Sequence, residues 1–202
     1  MPNIKVGKFI TQVILQNIEV EDIDLSNATD LRSAWVQNNP ALQKLDLSYS
    51  TIWGQGDKET EGNGTYGSSL MVLGCPILKE IKLPEKNELK AYRIDIECLD
   101  ALETFDMSNV KMVAELSIGD LNKDFNLVYP ELTIFYSEDG YAGTYFACSE
   151  NTFYRESTQA FLKANYTDID PDDTVRRLGY TSSLSYDKNK GCRWRTLLNK
   201  QK

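Results

Sequence analysis

Carboxylates are the side chains of this chain with the clearest potential for catalysis. Glu80 and Glu103 lie in two similar segments, where adjacent strands could stack them like the acid pair of a glycosidase. The repetition also explains both as part of a solvated strand face, and we expect that simpler role.

The alternating aspartates of 168–172 resemble the start of a calcium loop. Asp173 stands where that loop needs glycine and Gly179 where it needs glutamate, so we predict no calcium site.

The cysteines and the absence of histidine restrict the chemistry further. The four cysteines are widely scattered, without a Cys-x-x-Cys pair, and the chain has no histidine. Zinc sites need clustered thiolates and imidazoles, and histidine is the usual general base near neutral pH. With no phosphate-loop or dinucleotide motif either, we predict no metal, no cofactor and no enzymatic activity.

Aromatic and basic side chains are better candidates, because they suit binding. Eight of the eleven tyrosines lie from Tyr129 onward, and tyrosine and tryptophan are enriched at protein interfaces. The segment from Lys188 to the end carries six basic residues and no acid. We predict partner contacts at the following residues: Trp53, Tyr66, Tyr136, Tyr141, Tyr145, Tyr154, Lys188, Lys190, Arg193, Trp194 and Arg195.

Charge and hydropathy exclude several partners and suggest a compartment. The net charge is −8, so the first 187 residues carry −14 once the +6 of the basic tail is removed. An acidic body argues against general binding of nucleic acid. No run of ~18 apolar residues is present, so we predict no membrane span. The N-terminal residues never build an apolar signal core, which favours a cytoplasmic or virion location over secretion. Because disulfides form mainly in secreted proteins, we predict that the thiols are free and mostly buried.

Short apolar ladders must position these residues. In each ladder an apolar residue is followed three and five positions later by two more, after a turn that often contains proline; the clearest ones occupy 42–47, 78–83 and 102–107. Residues 20–25 fit the same ladder, and a looser version occupies 132–135. Short strands that recur in units of about 23 residues are typical of solenoids, whose units bury their apolar faces against each other. We therefore predict a mainly β protein, a short and irregular leucine-rich-repeat-like β-solenoid.

The solenoid is expected to form a first domain, 1–136, followed by a small α+β capping module, 137–202. Residues 53–69 hold five of the twelve glycines and predict a loop insertion that could contact a partner. Residues 27–38 are predicted to form a short helical or turn segment, because their apolar side chains have a helical spacing. In the capping module we predict helices near 157–165 and 170–179, ahead of the basic tail. Arg93, Asp95 and Glu115 are expected on a solvated strand face.

One repeat resembles a known family. Gly74-Cys75 precedes Leu78, Ile81, Leu83 and Pro84, an arrangement similar to the repeat of the BspA-type leucine-rich repeat family. Residues 102–110 are similar to a related bacterial surface repeat with a Leu-Asp-Leu-Ser-Asn core. The resemblance extends over about 20–136. It implies a repeat fold that binds host proteins or sugars, since members of that family are mostly bacterial cell-surface proteins.

Architecture and composition together favour a non-enzymatic protein–protein interaction module, a structural or decoration subunit of a larger assembly such as a phage particle. A bacterial surface adhesin or glycan-binding protein is the first alternative, and it requires export. A carboxylate-dependent hydrolase is the second, and it requires two acids close together in a cleft.

Overall fold

The computed structural model describes residues 3–55, 68–122, 125–132, 137–138, 141–142, 145–165 and 198–199. Seven of the predicted contact residues lie outside these ranges: Tyr66, Tyr136, Lys188, Lys190, Arg193, Trp194 and Arg195. The helix predicted near 170–179 also lies outside them.

The described chain is mainly β, with a small helical part, and this confirms the predicted class. Its strands are β1 (Asn3–Lys5), β2 (Gln12–Gln16), β3 (Asp22–Asp24), β4 (Ser33–Gln37), β5 (Lys44–Asp46), β6 (Ser69–Leu73), β7 (Glu80–Lys82), β8 (Leu89–Leu99), β9 (Thr104–Asp106), β10 (Val110–Leu121), β11 (Asn126–Val128), β12 (Ser137–Glu138), β13 (Tyr141–Ala142), β14 (Tyr145–Cys148) and β15 (Leu198–Asn199). The helices are α1 (Glu150–Phe153) and α2 (Glu156–Asn165).

The largest sheet contains seven strands in the order β15-β14-β10-β8-β6-β4-β2. Its neighbours pair in parallel except β15, which is antiparallel to β14. From β1 to β11 the chain alternates between this sheet and short parallel pairs: β1 with β3, β5 with β7, and β9 with β11. Contacts of β3 with β5 and of β7 with β9 link the short pairs into a second row.

The core lies between the two rows of strands. In the large sheet one row of side chains is in register from strand to strand and buried: Val13, Ala34, Leu70, Ile94, Leu116 and Phe146. The short strands place Ile23, Leu45, Ile81, Phe105 and Leu127 against this row, in the same hydrophobic cluster. The ladder centres Leu45, Ile81 and Phe105 are thus confirmed as buried strand residues.

The predicted helical or turn segment at 27–38 has turns at 27 and 29–30, but the prediction is wrong at 33–37, which form strand β4. Ala34 and Val36 are buried, and β4 pairs with β2 on one side and β6 on the other. Apolar residues three and four positions apart fit one face of a helix. They also fit a strand with an apolar residue on each face, and in β4 the residue on the other face is Trp35. Pairing on both edges satisfies the backbone polar groups of β4 and decides for the strand.

Helix α2 begins one residue before the predicted 157–165 and ends at the same residue, so that prediction is confirmed. Phe161 of α2 stacks on Tyr129, with ring centroids 4.5 Å apart, and lies 5.5 Å from the ring of Phe146. The hydroxyls of Tyr129 and Thr158 are 2.8 Å apart. The Arg155 guanidinium donates to backbone carbonyls at the end of β10 and beyond it: Leu121, Asn122 and Phe125. These contacts hold the helices against the last parallel strands.

In the part of the chain that the structure describes, no helix is long and apolar enough to cross a membrane.

Candidate functional site

A polar cluster lies on the face of the large sheet that points away from the core. We call it the outer-face cluster and define it as Arg93, Asp95 and Glu97 of β8 with Glu115 and Ser117 of β10. Ile94 and Ile96 of β8 enter the core, so the alternate residues Asp95 and Glu97 project from the opposite face. Register pairing puts Arg93 opposite Glu115 and Asp95 opposite Ser117.

Hydrogen bonds and ion pairs connect the cluster. Arg93 Nη2 donates to Asp95 Oδ2 at 3.0 Å, and Arg93 Nη1 lies 3.5 Å from Glu115 Oε2. Ser117 Oγ donates to Glu97 Oε1 at 2.9 Å, while the Tyr92 hydroxyl donates to Glu115 at 3.3 Å. By definition the outer-face cluster holds three carboxylates and one guanidinium, so it carries excess negative charge when ionised.

Burial makes this charge costly. Asp95 and Glu97 are both 0% exposed, so the expectation that Asp95 lies on a solvated face is wrong. Burial raises the pKa of Asp95, against the charge and hydrogen bond of Arg93, which lower it. Two carboxylates closed off from solvent do not offer a substrate an accessible acid pair. A buried carboxylate is stable only when it is paired or protonated, and Arg93 is the charged partner of Asp95.

The acids considered for hydrolysis lie elsewhere. Glu80 forms ion pairs with Lys44 at 3.1 Å and Lys82 at 3.3 Å, and Glu103 is exposed. The hydrogen bond from Lys44 lowers the pKa of Glu80, which is opposite to the raised pKa of a general acid. Sequence reasoning proposed this pair and missed Asp95 and Glu97. The available signal was the alternation of two acids with two isoleucines in the middle of a long strand.

Cys98 lies at the edge of the outer-face cluster. It packs with Leu73, and Met71 packs against both, in a small apolar group separate from the main core. Cys75 and Cys148 are free and buried, as predicted, but Cys98 is disulfide-bonded, so the prediction of free thiols is wrong at this position. Burial raises the pKa of the Cys75 thiol to about 11, which makes it a poor nucleophile.

Trp53 does not serve as a surface contact, which corrects the prediction. It is 0% exposed, and its indole Nε1 donates to the Ser69 carbonyl at 3.4 Å. Ser50 Oγ accepts from the Trp53 backbone N–H at 2.8 Å, and Ser68 Oγ accepts from the Gly54 N–H at 2.7 Å. The two ends of the predicted 53–69 loop are thereby held together. The loop needs an apolar anchor, and Trp53 provides it.

The other predicted contact tyrosines within the described ranges are Tyr141, Tyr145 and Tyr154. Tyr154 is 59% exposed, and its ring meets that of Phe153 edge-on, with centroids 5.3 Å apart. The backbone of Tyr141 lies in β13 and that of Tyr145 in β14. The structure therefore does not gather the predicted contact residues into one described site.

A second candidate surface lies at the β2 edge of the large sheet, the edge that is opposite β15. Strand β2 pairs with β4, and no described strand pairs with its other edge. Ile14 in the middle of β2 is 48% exposed, and Phe9 and Ile10, just before β2, are 81% and 42% exposed. The Lys8 ammonium lies 5.7 Å from the centroid of the Phe9 ring. We call β2 with Phe9 and Ile10 the open edge.

The described residues contain no group of three or more His, Cys, Asp or Glu side chains that could hold a metal ion. Comparison of the chain with family models, with curated proteins and with solved structures gives no match.

Proposed function

We propose that this chain is a leucine-rich-repeat-like β-solenoid that works as a non-enzymatic protein-binding subunit of a larger assembly. The proposal has two parts, the repeating architecture and the surface that binds. Its resemblance to the BspA-type repeat is part of the same proposal and rests on residues 71–85.

Repetition of one unusual backbone conformation supports the solenoid. Asn17, Asn38, Gly74 and Cys98 all have positive φ, between 52° and 63°. Each follows a residue of the in-register row Gln16, Gln37, Leu73 and Glu97, so the four are equivalent positions. The backbone N–H groups of the first three donate to the carbonyl of that row in the next strand, at 2.9–3.0 Å. A left-handed residue at the same point of successive strands is what a stacked coil needs to turn the same corner.

The open edge is the observation that carries the binding role. An edge strand presents unpaired N–H and C=O groups, and proteins usually protect such strands with charges, proline or bulges. Strand β2 instead carries the half-exposed Ile14 at its centre, beside the exposed Phe9 and Ile10. Addition of a partner strand would satisfy the backbone groups and bury this apolar surface.

The test compares two isoleucines of similar exposure. Ile14 is 48% exposed on the open edge, whereas Ile77 is 41% exposed in a turn. Burial of the exposed half of Ile14 is worth about 1 kcal/mol or more, so Ile14→Lys should weaken association at least about fivefold. Ile77→Lys is the matched control and should associate like the unmodified chain.

The measurement is native mass by light scattering, on the purified full-length chain and on the complex isolated from its source. We expect a mass above 23.0 kDa in at least one preparation, with loss of the larger species only in Ile14→Lys. A 23.0 kDa monomer in both preparations would overturn the proposal and favour the adhesin or glycan-binding alternative.

A further inference from the structure

The backbone of β2 directs alternate residues to its two edges. The Asn17 N–H donates to the Gln37 carbonyl of β4 at 2.9 Å, and the Thr11 carbonyl accepts from the start of β4. The N–H and C=O of one strand residue point to the same side, and that side alternates along the strand. The odd-numbered residues of β2 are therefore bonded to β4. The residues that direct their backbone groups to the open edge are Gln12, Ile14 and Gln16.

The pattern of polar and apolar residues in β2 is the same in both chain directions. The strand is Gln-Val-Ile-Leu-Gln, with Ile14 at its centre. In an antiparallel pair of two copies with a twofold axis at Ile14, that residue would lie opposite its own copy. Val13 would then lie opposite Leu15, and the two terminal glutamines would lie opposite each other. Apolar side chains meet apolar ones in this register, and each glutamine amide meets an amide, which both donates and accepts hydrogen bonds.

The outward-facing backbone groups fit the same register. In an antiparallel pair, a residue that faces the partner strand exchanges both of its N–H···O bonds with the residue opposite. Ile14 faces outward and lies on the axis, so its N–H and C=O would bond those of its copy. Gln12 of each copy would bond Gln16 of the other, which gives about six backbone hydrogen bonds in all. A register shifted by one residue would instead set an outward-facing residue opposite one that is bonded to β4.

The apolar rows of the large sheet are incomplete at this edge. The row that Leu15 begins continues on the next strands with residues that are 0% exposed: Val36, Val72, Ile96 and Ile118. Leu15 itself is only half-buried, because no described strand lies beyond it. Val13 of a second copy would cover Leu15 on the inner face, while Ile14 and its copy would cover each other on the outer face.

The distribution of charge also suits a second copy. Two copies that each carry a net charge of −8 repel each other in general, but β2 contains no charged residue. The charged residues that flank β2 in the chain have opposite signs, Lys8 before the strand and Glu19 after it, and both are exposed. The twofold axis places Lys8 of one copy at the same end of the interface as Glu19 of the other, so the local charges are complementary.

We propose that the open edge binds a second copy of this chain, by antiparallel pairing of the two β2 strands about a twofold axis at Ile14. The inference rests on the proposed function, because it names the partner of the surface proposed there. Head-to-tail stacking does not compete, since β14, the last parallel strand, is paired on both edges with β10 and β15. The assembly closes at two copies, because a twofold contact uses the same surface of each.

The first experiment measures the mass of the purified full-length chain alone, by sedimentation velocity over a dilution series that begins at about 0.1 mM. We expect twice 23.0 kDa at the highest concentration and 23.0 kDa after dilution. A purified chain that stays at 23.0 kDa, beside a larger complex from the source that is lost in Ile14→Lys, would overturn the second copy and leave the proposed function standing. A 23.0 kDa monomer in both preparations would overturn both.

The second experiment tests the register with two variants that differ at one position. Gln12→Lys with Gln16→Lys sets like charges opposite each other in both outer pairs and should weaken dimerisation about tenfold. This variant makes the net charge of −8 less negative, so general repulsion cannot explain the loss. Gln12→Lys with Gln16→Glu sets opposite charges in both pairs and should dimerise at least as tightly as the unmodified chain. In a parallel pair each residue would face its own copy, so equal weakening of the two variants would overturn the antiparallel register.

Amide hydrogen exchange provides a readout without any substitution. In the dimer the N–H groups of Gln12, Ile14 and Gln16 are bonded to the second copy, so they should exchange slowly at high concentration and rapidly after dilution. The N–H groups of Val13 and Leu15 face β4 in either state and serve as the internal control. Exchange at Ile14 that is rapid at every concentration would refute the pairing.

Discussion

Replacement of Trp53 by alanine tests most directly whether this residue is an anchor or a contact. The side chain is 0% exposed, and removal of a fully buried tryptophan costs about 3–5 kcal/mol in the free energy of unfolding. The hydrogen bond from Nε1 to the Ser69 carbonyl is long, at 3.4 Å, so nearly all of this cost comes from lost packing. For a chain of this size, 1 kcal/mol corresponds to about 2–4 °C in Tm, so the expected fall is roughly 6–20 °C.

The assay is urea unfolding followed by circular dichroism, with the midpoint and the m-value fitted separately. Tyr154→Ala is the matched control, because Tyr154 is an aromatic residue that is 59% exposed. It should cost no more than about 1 kcal/mol, the value of an edge-on ring contact. A cost below about 1 kcal/mol for Trp53→Ala, together with weaker association, would refute the anchor and restore the contact interpretation.

Two further outcomes are expected. Arg155→Ala should destabilise the chain by about 2–4 kcal/mol, because it leaves three backbone carbonyls without their charged donor. The control Lys163→Ala, on the exposed side of α2, should cost less than about 0.5 kcal/mol. Equal midpoints of urea unfolding for the two variants would contradict this expectation. Alkylation of Cys75 in the folded chain at pH 8 should be at least about 100-fold slower than in the unfolded chain, because a pKa of about 11 in place of 9.0 reduces the thiolate by that factor. The rate should rise with pH towards 11, and equal rates in folded and unfolded chains would show that the thiol is not buried.

The sequence predicted local features better than long-range ones. The ladder at 78–83 predicted a short strand with Ile81 at its buried centre, and the structure has that strand as β7. Helix α2 was predicted nearly to the residue, because apolar spacing and the change in composition act over a few neighbours. In the segment 27–38 the same local spacing failed, since strand pairing with distant segments outweighed it.

The candidate sites depended on contacts that no local pattern specifies. Asp95 alternates with isoleucines, as an acid on a solvated strand face would, and only the assembled sheet shows that it is closed off from solvent. Cys98 gave no sign of a disulfide in the spacing of the four cysteines. The open edge is equally invisible in sequence, because a strand becomes an edge only through the order of the whole sheet.

By itself, the sequence determined that this protein would be built mainly from short strands, because the period of apolar residues sets which faces can be buried. It also fixed the acidic body and the basic tail, since charge is additive along the chain. The tertiary structure alone decided which side chains of one type are buried and which are exposed. Trp53 and Tyr154 are both aromatic, but the first is enclosed and the second faces solvent, because burial depends on neighbours that are distant in sequence.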